Sequence, residues 1–377
     1  MTTYYLTLAD EFQCLGSDCP ATCCRGWNIP IDDAAAERIK KEPGKLGRSL
    51  RMFLKGSDPV MIRRRFGHCP MLTKEGLCAL QRDDRMDLMG EICRIYPREP
   101  VAYSDRTEVT LELSCIRAAE LLIGHPGRLF FCEGKTLAPW WEISNDDPRF
   151  LSFLLNDREV ILEDLWGSGR ELPFEWRILY DYVEKEHAWI VRDRLGEAEA
   201  VSLRACEEEV SKHEKEEHTG YGYAFFPMTV IDRMIVCHIN YGALFFRSPE
   251  FYSLLRRYDR MFSKVPVADC DELFDRKVRK MLSACPSYEE KYRSYFSFNI
   301  QQLYLKAYES CFILRQFLFS VLYTQLLMLL DLIDFERIKE AAPIRRQAEV
   351  LSMLERGVRH NQALTGNLMQ VLREDFL

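Results

Sequence analysis

Cys14-Leu-Gly-Ser-Asp-Cys19-Pro-Ala-Thr-Cys23-Cys24-Arg25-Gly26-Trp27 holds four thiols within eleven residues. Four more follow at wider intervals: Cys69 in Cys-Pro-Met-Leu72, Cys78 after Gly76-Leu77, Cys93 in Cys-Arg-Ile-Tyr-Pro-Arg98, and Cys115 after Ser114. With Cys132, nine of the chain's 14 cysteines lie in the first 132 of 377 residues. In a reducing compartment disulfide frameworks are rare, so a local concentration of thiols reads as metal binding or redox chemistry. Crowded thiolates repel one another unless a cation shares their charge. A metal or an iron–sulfur cluster does so, and also fixes irregular backbone that has little core of its own. Gly16, Gly26, Pro70, Gly76 and Pro97 supply the turns that bring such ligands together.

The candidate ligands are therefore Cys14, Cys19, Cys23, Cys24, Cys69, Cys78, Cys93 and Cys115. Only Cys19-x3-Cys23 falls within the pair spacing of structural zinc sites, no Cys-x2-Cys occurs, and ferredoxin spacings are absent. The Cys-x3-Cys-x2-Cys pattern of radical S-adenosylmethionine enzymes would need a cysteine where Gly26 stands. Spacing leaves a buried cubane cluster and zinc both open, and equally one four-thiolate site with four spectators or two sites. The isolated Cys206, Cys237, Cys270, Cys285 and Cys311 read as small buried hydrophobes.

Outward from the thiols, length predicts two or three domains, and 47% hydrophobic with 12% aromatic residues is ample for a core. The formal charge of −7, with no basic stripe, argues against a nucleic-acid binder. Met1–Glu11 has no basic start followed by an apolar core, so a cytoplasmic location is expected. Residues 1–135 read as an irregular cysteine-rich domain. Asp32 or Asp33 caps a short helix there that stops near Pro43, residues 101–103 and 109–113 bracket a small hairpin, and a helix runs from Ile116 to Ile123. Residues 136–377 show apolar positions at helical spacing in 150–165, 176–191, 230–246, 251–262, 288–332 and 345–377. The expected fold is mainly α: an irregular metal- or cluster-binding domain packed on a larger α-helical domain. The run Phe317–Leu330 is short of the roughly 20 apolar residues of a bilayer span and reads as a buried helix, with no membrane partner. The charged run Glu207–Glu217 reads as a solvated helix face.

The ordered cysteine set, with Cys23-Cys24-x-Gly26-Trp27 and Cys93-Arg-x-Tyr-Pro-Arg98, resembles the flagellin lysine-N-methylase family, which overlaps a broader group of zinc- or iron-chelating cysteine-cluster proteins. The resemblance covers residues 12–122 and continues faintly through Tyr288-Glu289, Tyr292, Tyr295 and Arg356-x3-His360-Asn361. Family members often carry Glu before that His; here the residue is Arg359. The resemblance implies methyl transfer from S-adenosylmethionine to lysine ε-amines of flagellin, with an iron–sulfur cluster, of the 4Fe-4S type, in the cysteine region and zinc as the alternative metal.

Such a transfer needs a neutral amine, although free lysine has a pKa of about 10.4. Burial among aromatic side chains lowers that value, and a Tyr or carboxylate takes the proton. Candidate catalytic residues are Tyr221 and Tyr223, in Tyr-Gly-Tyr-Ala-Phe-Phe-Pro227, and Tyr292 and Tyr295; aromatic core packing is the competing reading of both clusters. Asp232, His238 and Tyr241 lie nearby on a helix. Neither Gly220-x-Gly222 nor Gly167-x-Gly169 follows an apolar strand, so no Rossmann cofactor loop is expected. Two other functions compete: a non-enzymatic iron–sulfur or zinc protein that recruits a partner, and a redox sensor using Cys23-Cys24, which requires low-pKa exposed thiols.

Overall fold

The computed structural model describes residues 1–25, 29–56, 60–62, 68–125, 127–217, 222–241 and 249–359. Its strands are β1 (Thr2–Leu6), β2 (Ile29–Ile31), β3 (Leu54–Lys55), β4 (Val60–Ile62), β5 (Arg98–Tyr103), β6 (Arg106–Leu111), β7 (Phe131–Glu133) and β8 (Trp141–Ile143). Five of them make one mixed sheet in the order β7-β1-β6-β5-β8. The expected hairpin is β5–β6, antiparallel from Arg98–Leu111 to Tyr103–Arg106, with Ser104 left-handed at the turn (φ 55°). Sequence reading gave the first residues no element, yet β1 lies parallel to β6, with Thr3 opposite Thr107 and Tyr5 opposite Val109. Enclosed by two neighbours and covered by helices, β6 is buried from Thr107 to Leu111, Glu108 and Thr110 included. β2, β4 and β3 form a second, small antiparallel sheet.

The molecule is otherwise helical. Asp32 is the cap of helix Asp33–Lys41: its Oδ1 accepts the Ala35 N–H at 2.8 Å. The helix expected from Ile116 runs Ile116–Gly124. Pro148–Gly167, Leu172–Ile190, Pro249–Phe262 and Ile344–Leu354 fall where periodicity placed helices. The span 288–332 is divided into Ser287–Leu303 and Ile313–Ile338. Between them Cys311 is left-handed (φ 59°), and the Asn145 amide donates to the Tyr308 carbonyl at 2.7 Å, taking the acceptor a continuing helix would use. Ile313–Ile338 is long and apolar enough to cross a bilayer, but its most apolar stretch is entirely enclosed by protein. Its Gln325 brackets Phe226, accepting the amide N–H and donating to the carbonyl, both at 2.8 Å.

Two apolar cores result. The larger draws from both sides of residue 135, joining Leu6, Val109 and Leu122 to Leu154, Trp176, Phe296 and Phe317. The smaller packs Ile29, Ile31, Ile39 and Leu50 against Cys69, Met71, Leu80 and Met89, and so contains part of the cysteine set.

The sheet is fastened to the helices by polar contacts as well as apolar ones. The Arg158 guanidinium makes two 2.8 Å bonds to the Glu108 carboxylate and one of 3.1 Å to the Gln301 carbonyl, with both side chains almost wholly buried. Desolvation opposes both charges, but charge attraction and hydrogen bonding together outweigh it, holding the Arg158 pKa above its usual range and, with help from Arg106, the Glu108 carboxyl below its own. Removing one partner of such a pair costs about 3–5 kcal/mol, whereas replacing both with apolar groups is far less costly. Arg158→Met should therefore lower the urea midpoint strongly. Adding Glu108→Leu in the same chain should restore much of the loss, a comparison read by equilibrium unfolding of both variants.

Candidate functional site

A cavity of about 710 Å³ opens between the small-core region and the helical body. One wall carries Cys23, Cys24, Cys69, Cys78 and Cys93. Three loops are pinned to present them. The Cys69 N–H donates to the Cys24 carbonyl at 2.8 Å. The loop 69–78 closes on itself through Thr73 N–H to Leu77 O (2.8 Å), with Gly76 at φ 81°, a conformation that favours glycine. Asp32, already the cap of one helix, accepts the Glu91 N–H through Oδ2 at 2.7 Å and so sets the short helix Glu91–Ile95 that bears Cys93.

Cys14, Cys19 and Cys115 form a second group, and Cys23 stands between the two: the charges of Cys19 and Cys115 both interact with it. On the other side Cys24, Cys69, Cys78 and Cys93 interact among themselves. Arg356 ties the second group together, donating from Nε to the Ser114 carbonyl at 2.7 Å and from Nη2 to the Ala21 carbonyl at 3.2 Å. The tail motif singled out by resemblance thus acts as a staple between the first cysteine loop and Cys115. Its His360 and Asn361 lie outside the described residues, as do Tyr221, Gly26 and Trp27.

All described cysteines are free thiols. Among the described residues, no three His, Cys, Asp or Glu side chains stand close enough to hold a single metal ion. Several sulfurs nevertheless receive backbone N–H groups two residues on: Cys14 from Gly16 at 3.4 Å, Cys19 from Ala21, Cys69 from Met71 and Cys115 from Arg117. Burial pushes the Cys93 thiol up to about 12 and Cys115 up to about 11. At Cys24 a hydrogen bond from Cys23 lowers the value, but donation to Cys69 and burial override it, to about 12. Donating that bond to Cys24, and burial, push Cys23 upward. The Cys23-Cys24 pair is therefore not the low-pKa pair that a redox sensor requires.

The facing wall is of another kind. Glu99, 5% exposed, accepts from Gln302 Nε2 at 2.5 Å, from Lys306 Nζ at 3.3 Å and from Thr110 Oγ1 at 3.4 Å. Glu112 and Arg359 lie beside it. Arg359 reaches Asn299 Oδ1 at 3.3 Å and Glu355 at 3.4 Å, while its Nη2 is buried with no partner. Trp140, Trp141, Phe319 and Tyr323 add aromatic surface, the last two stacked at 5.9 Å. The Trp140 indole N–H is likewise buried without a partner, whereas Trp141 is mostly exposed.

The tyrosines singled out from sequence are placed elsewhere. Tyr223 donates to Glu289 at 3.0 Å, Tyr292 lies fully buried beside Asp331, and Tyr295 donates to Glu355 at 2.5 Å. None of the three lines the cavity; their hydroxyls sit in the helical core. Of that set Tyr295 comes nearest, one residue behind Arg359 through Glu355. Sequence reading passed over Glu99, Glu112, Trp140 and Lys306. The available signal was the hairpin itself, where Glu99 lies within a strand otherwise suited to burial and Glu112 directly follows the other.

Neither a family model nor a solved structure matches the chain. Curated relatives do. Over 136 residues it is 23% identical to the flagellar biosynthetic protein FliU of Salmonella muenchen, spanning 34% of this chain and 80% of that protein. It is 24% identical over 208 residues to lysine-N-methylases of Salmonella typhimurium and Salmonella choleraesuis, 52% of this chain and 51% of each relative. The chain thus spans about half the length of the lysine-N-methylases it matches. These similarities agree with the resemblance that the chain's cysteine motifs carry to lysine-N-methylases.

Raised thiol pKa values fix the sign of one pH effect. Without a bound cation, unfolded cysteines lose their protons near pH 9 while Cys24, Cys93 and Cys115 hold theirs to about 11–12. Above pH 9 the folded state binds more protons, so stability falls, by up to about 1.4 kcal/mol per pH unit for each such thiol. Chelator-treated protein should lose thermal stability between pH 9 and 11, and serine at Cys93 should flatten that slope, as read by calorimetry.

Proposed function

We propose that the chain is an S-adenosylmethionine-dependent protein-lysine N-methyltransferase acting on flagellin in the cytoplasm, with an iron–sulfur cluster on its thiol wall. The observation that carries this reading is the cavity, which sets carboxylates and aromatic rings against that wall. Similarity to proteins named lysine-N-methylase adds to it. S-adenosylmethionine supplies an electrophilic methyl group. The aromatic surface of Trp140, Trp141, Phe319 and Tyr323 excludes water, so a lysine ε-ammonium placed there loses its hydration and gives up its proton more readily. Glu99 is the cavity carboxylate we assign to take it. Fixed walls hold acceptor and donor in register, which supplies much of the rate.

The donor chemistry fits a cluster better than a single ion. A tetrahedral zinc site gathers its ligands around one ion, and among the described residues no three such side chains are so gathered. A cluster distributes its thiolates over several irons, and the Met71 N–H aimed at the Cys69 sulfur suits it. Cys24, Cys69, Cys78 and Cys93 would hold it, supplying cross-links to a region with a small core and a charged side to the cavity. In the cytoplasm such thiols stay reduced and available.

Co-expression with flagellin from the same host tests the activity: intact mass and lysine peptides should show methyl increments that vanish when the chain is omitted. Replacing Cys24 and Cys69 by serine should remove iron and sulfide from the purified protein and abolish the increments. No methylation by protein that carries its metal would instead leave a non-enzymatic metal protein that recruits a partner.

A further inference from the structure

Of the cavity's polar groups, one has an unspent hydrogen bond and a fixed charge: Arg359. Arg359 lines the cavity, its side chain is 11% exposed, and Nη2 is buried without an acceptor. Its ion pair with Glu355 is long at 3.4 Å, and the other oxygen of that carboxylate is taken by the Tyr295 hydroxyl. A buried donor in this state costs free energy until an acceptor arrives. An arginine fork is shaped for a carboxylate, which it can bind through two parallel bonds.

The charges next to Arg359 narrow the ligand further. On the cavity surface Glu99 and Glu112 stand against Lys306 and Arg359, two of each sign. Glu355 behind them adds one negative charge. Adjacent, balanced carboxylates and cations suit a zwitterion, and the extra negative charge suits a ligand whose net charge is +1. The neighbouring aromatic rings offer stacking for a planar base and a favourable surface for a sulfonium. A volume of about 710 Å³ is within the range of small-molecule sites.

We infer that this end of the cavity seats the amino-acid portion of the methyl donor, with the Arg359 guanidinium binding its carboxylate and Glu112 facing its ammonium. This rests on the methyltransferase reading and assigns that reading a donor site. Trp140, through its unpartnered indole N–H, donates to the same ligand. The exposed Trp141 then marks the side from which the protein substrate enters.

Isothermal titration with S-adenosylhomocysteine and with 5′-methylthioadenosine, which keeps the nucleoside but lacks the amino-acid end, tests the inference. The purified full chain should bind the first more tightly by about 10- to 100-fold, the range for one charge-assisted carboxylate contact. Arg359→Gln should erase that preference while leaving 5′-methylthioadenosine binding unchanged, which also shows that the variant is folded. Arg359→Lys should recover part of it. A preference that survives Arg359→Gln, in a chain that methylates flagellin, overturns the donor seat and leaves the methyltransferase reading standing. A wild-type chain that binds neither nucleoside and methylates nothing overturns both.

Discussion

The buried pair between Arg158 and Glu108 is the constraint from which the rest of the arrangement follows. A charged carboxylate in the middle strand of a sheet is tolerable only if a cation meets it there. Arg158 reaches it from the helix Pro148–Gly167 and binds the Gln301 carbonyl with the same guanidinium. Three elements are thereby joined at one point: the central strand, the helix beyond it and the end of Ser287–Leu303. From Gln301 the contact continues as a polar seam. Gln301 donates to the Leu129 carbonyl at 2.7 Å, Gln302 to Glu99, and Lys306 to Glu99 again. Glu99 thus owes its place at the cavity to the interface that docks sheet on helices, and the carboxylate wall is as rigid as that interface.

The thiol wall is built on a different principle. Its core is small, its strands are short, and its loops are closed by a few backbone bonds and by Asp32, which caps one helix and holds the next. Thiol–thiol hydrogen bonds with burial hold Cys23 and Cys24, and burial holds Cys93, above the ordinary thiol range, and their protons yield only to a strongly bound cation. The chemistry of the two walls is accordingly separable: one is set by packing, the other by what its sulfurs bind.

Much of this was legible in the chain. Helical periodicity located the helices of the second half because their apolar stripes repeat over many turns, and Asp32 announced a cap. The ordered cysteines marked one wall of the cavity. Three features escaped for physical reasons. Residues 2–6 become a strand only because β6 and β7 are there to pair with them. The stretch 288–332 breaks where Asn145, far away in sequence, claims a carbonyl. The carboxylate wall escaped because a glutamate in a hairpin reads as solvent-facing unless its buried partners, Gln302 and Lys306, are known to lie opposite.

Arg359 shows how one side chain decides what a cavity is able to bind. A glutamate at this place, beside Glu99, Glu112 and Glu355, would make the end of the cavity wholly acidic apart from Lys306. With Arg359 the same space offers both signs of charge within one ligand's reach, and a buried N–H that no protein group satisfies. The tyrosines that sequence pointed to act behind this surface: Tyr295 holds Glu355 and so leaves the Arg359 ion pair loose. Aromatic hydroxyls in the core thus contribute to the cavity by occupying a carboxylate that would otherwise bind the guanidinium more fully.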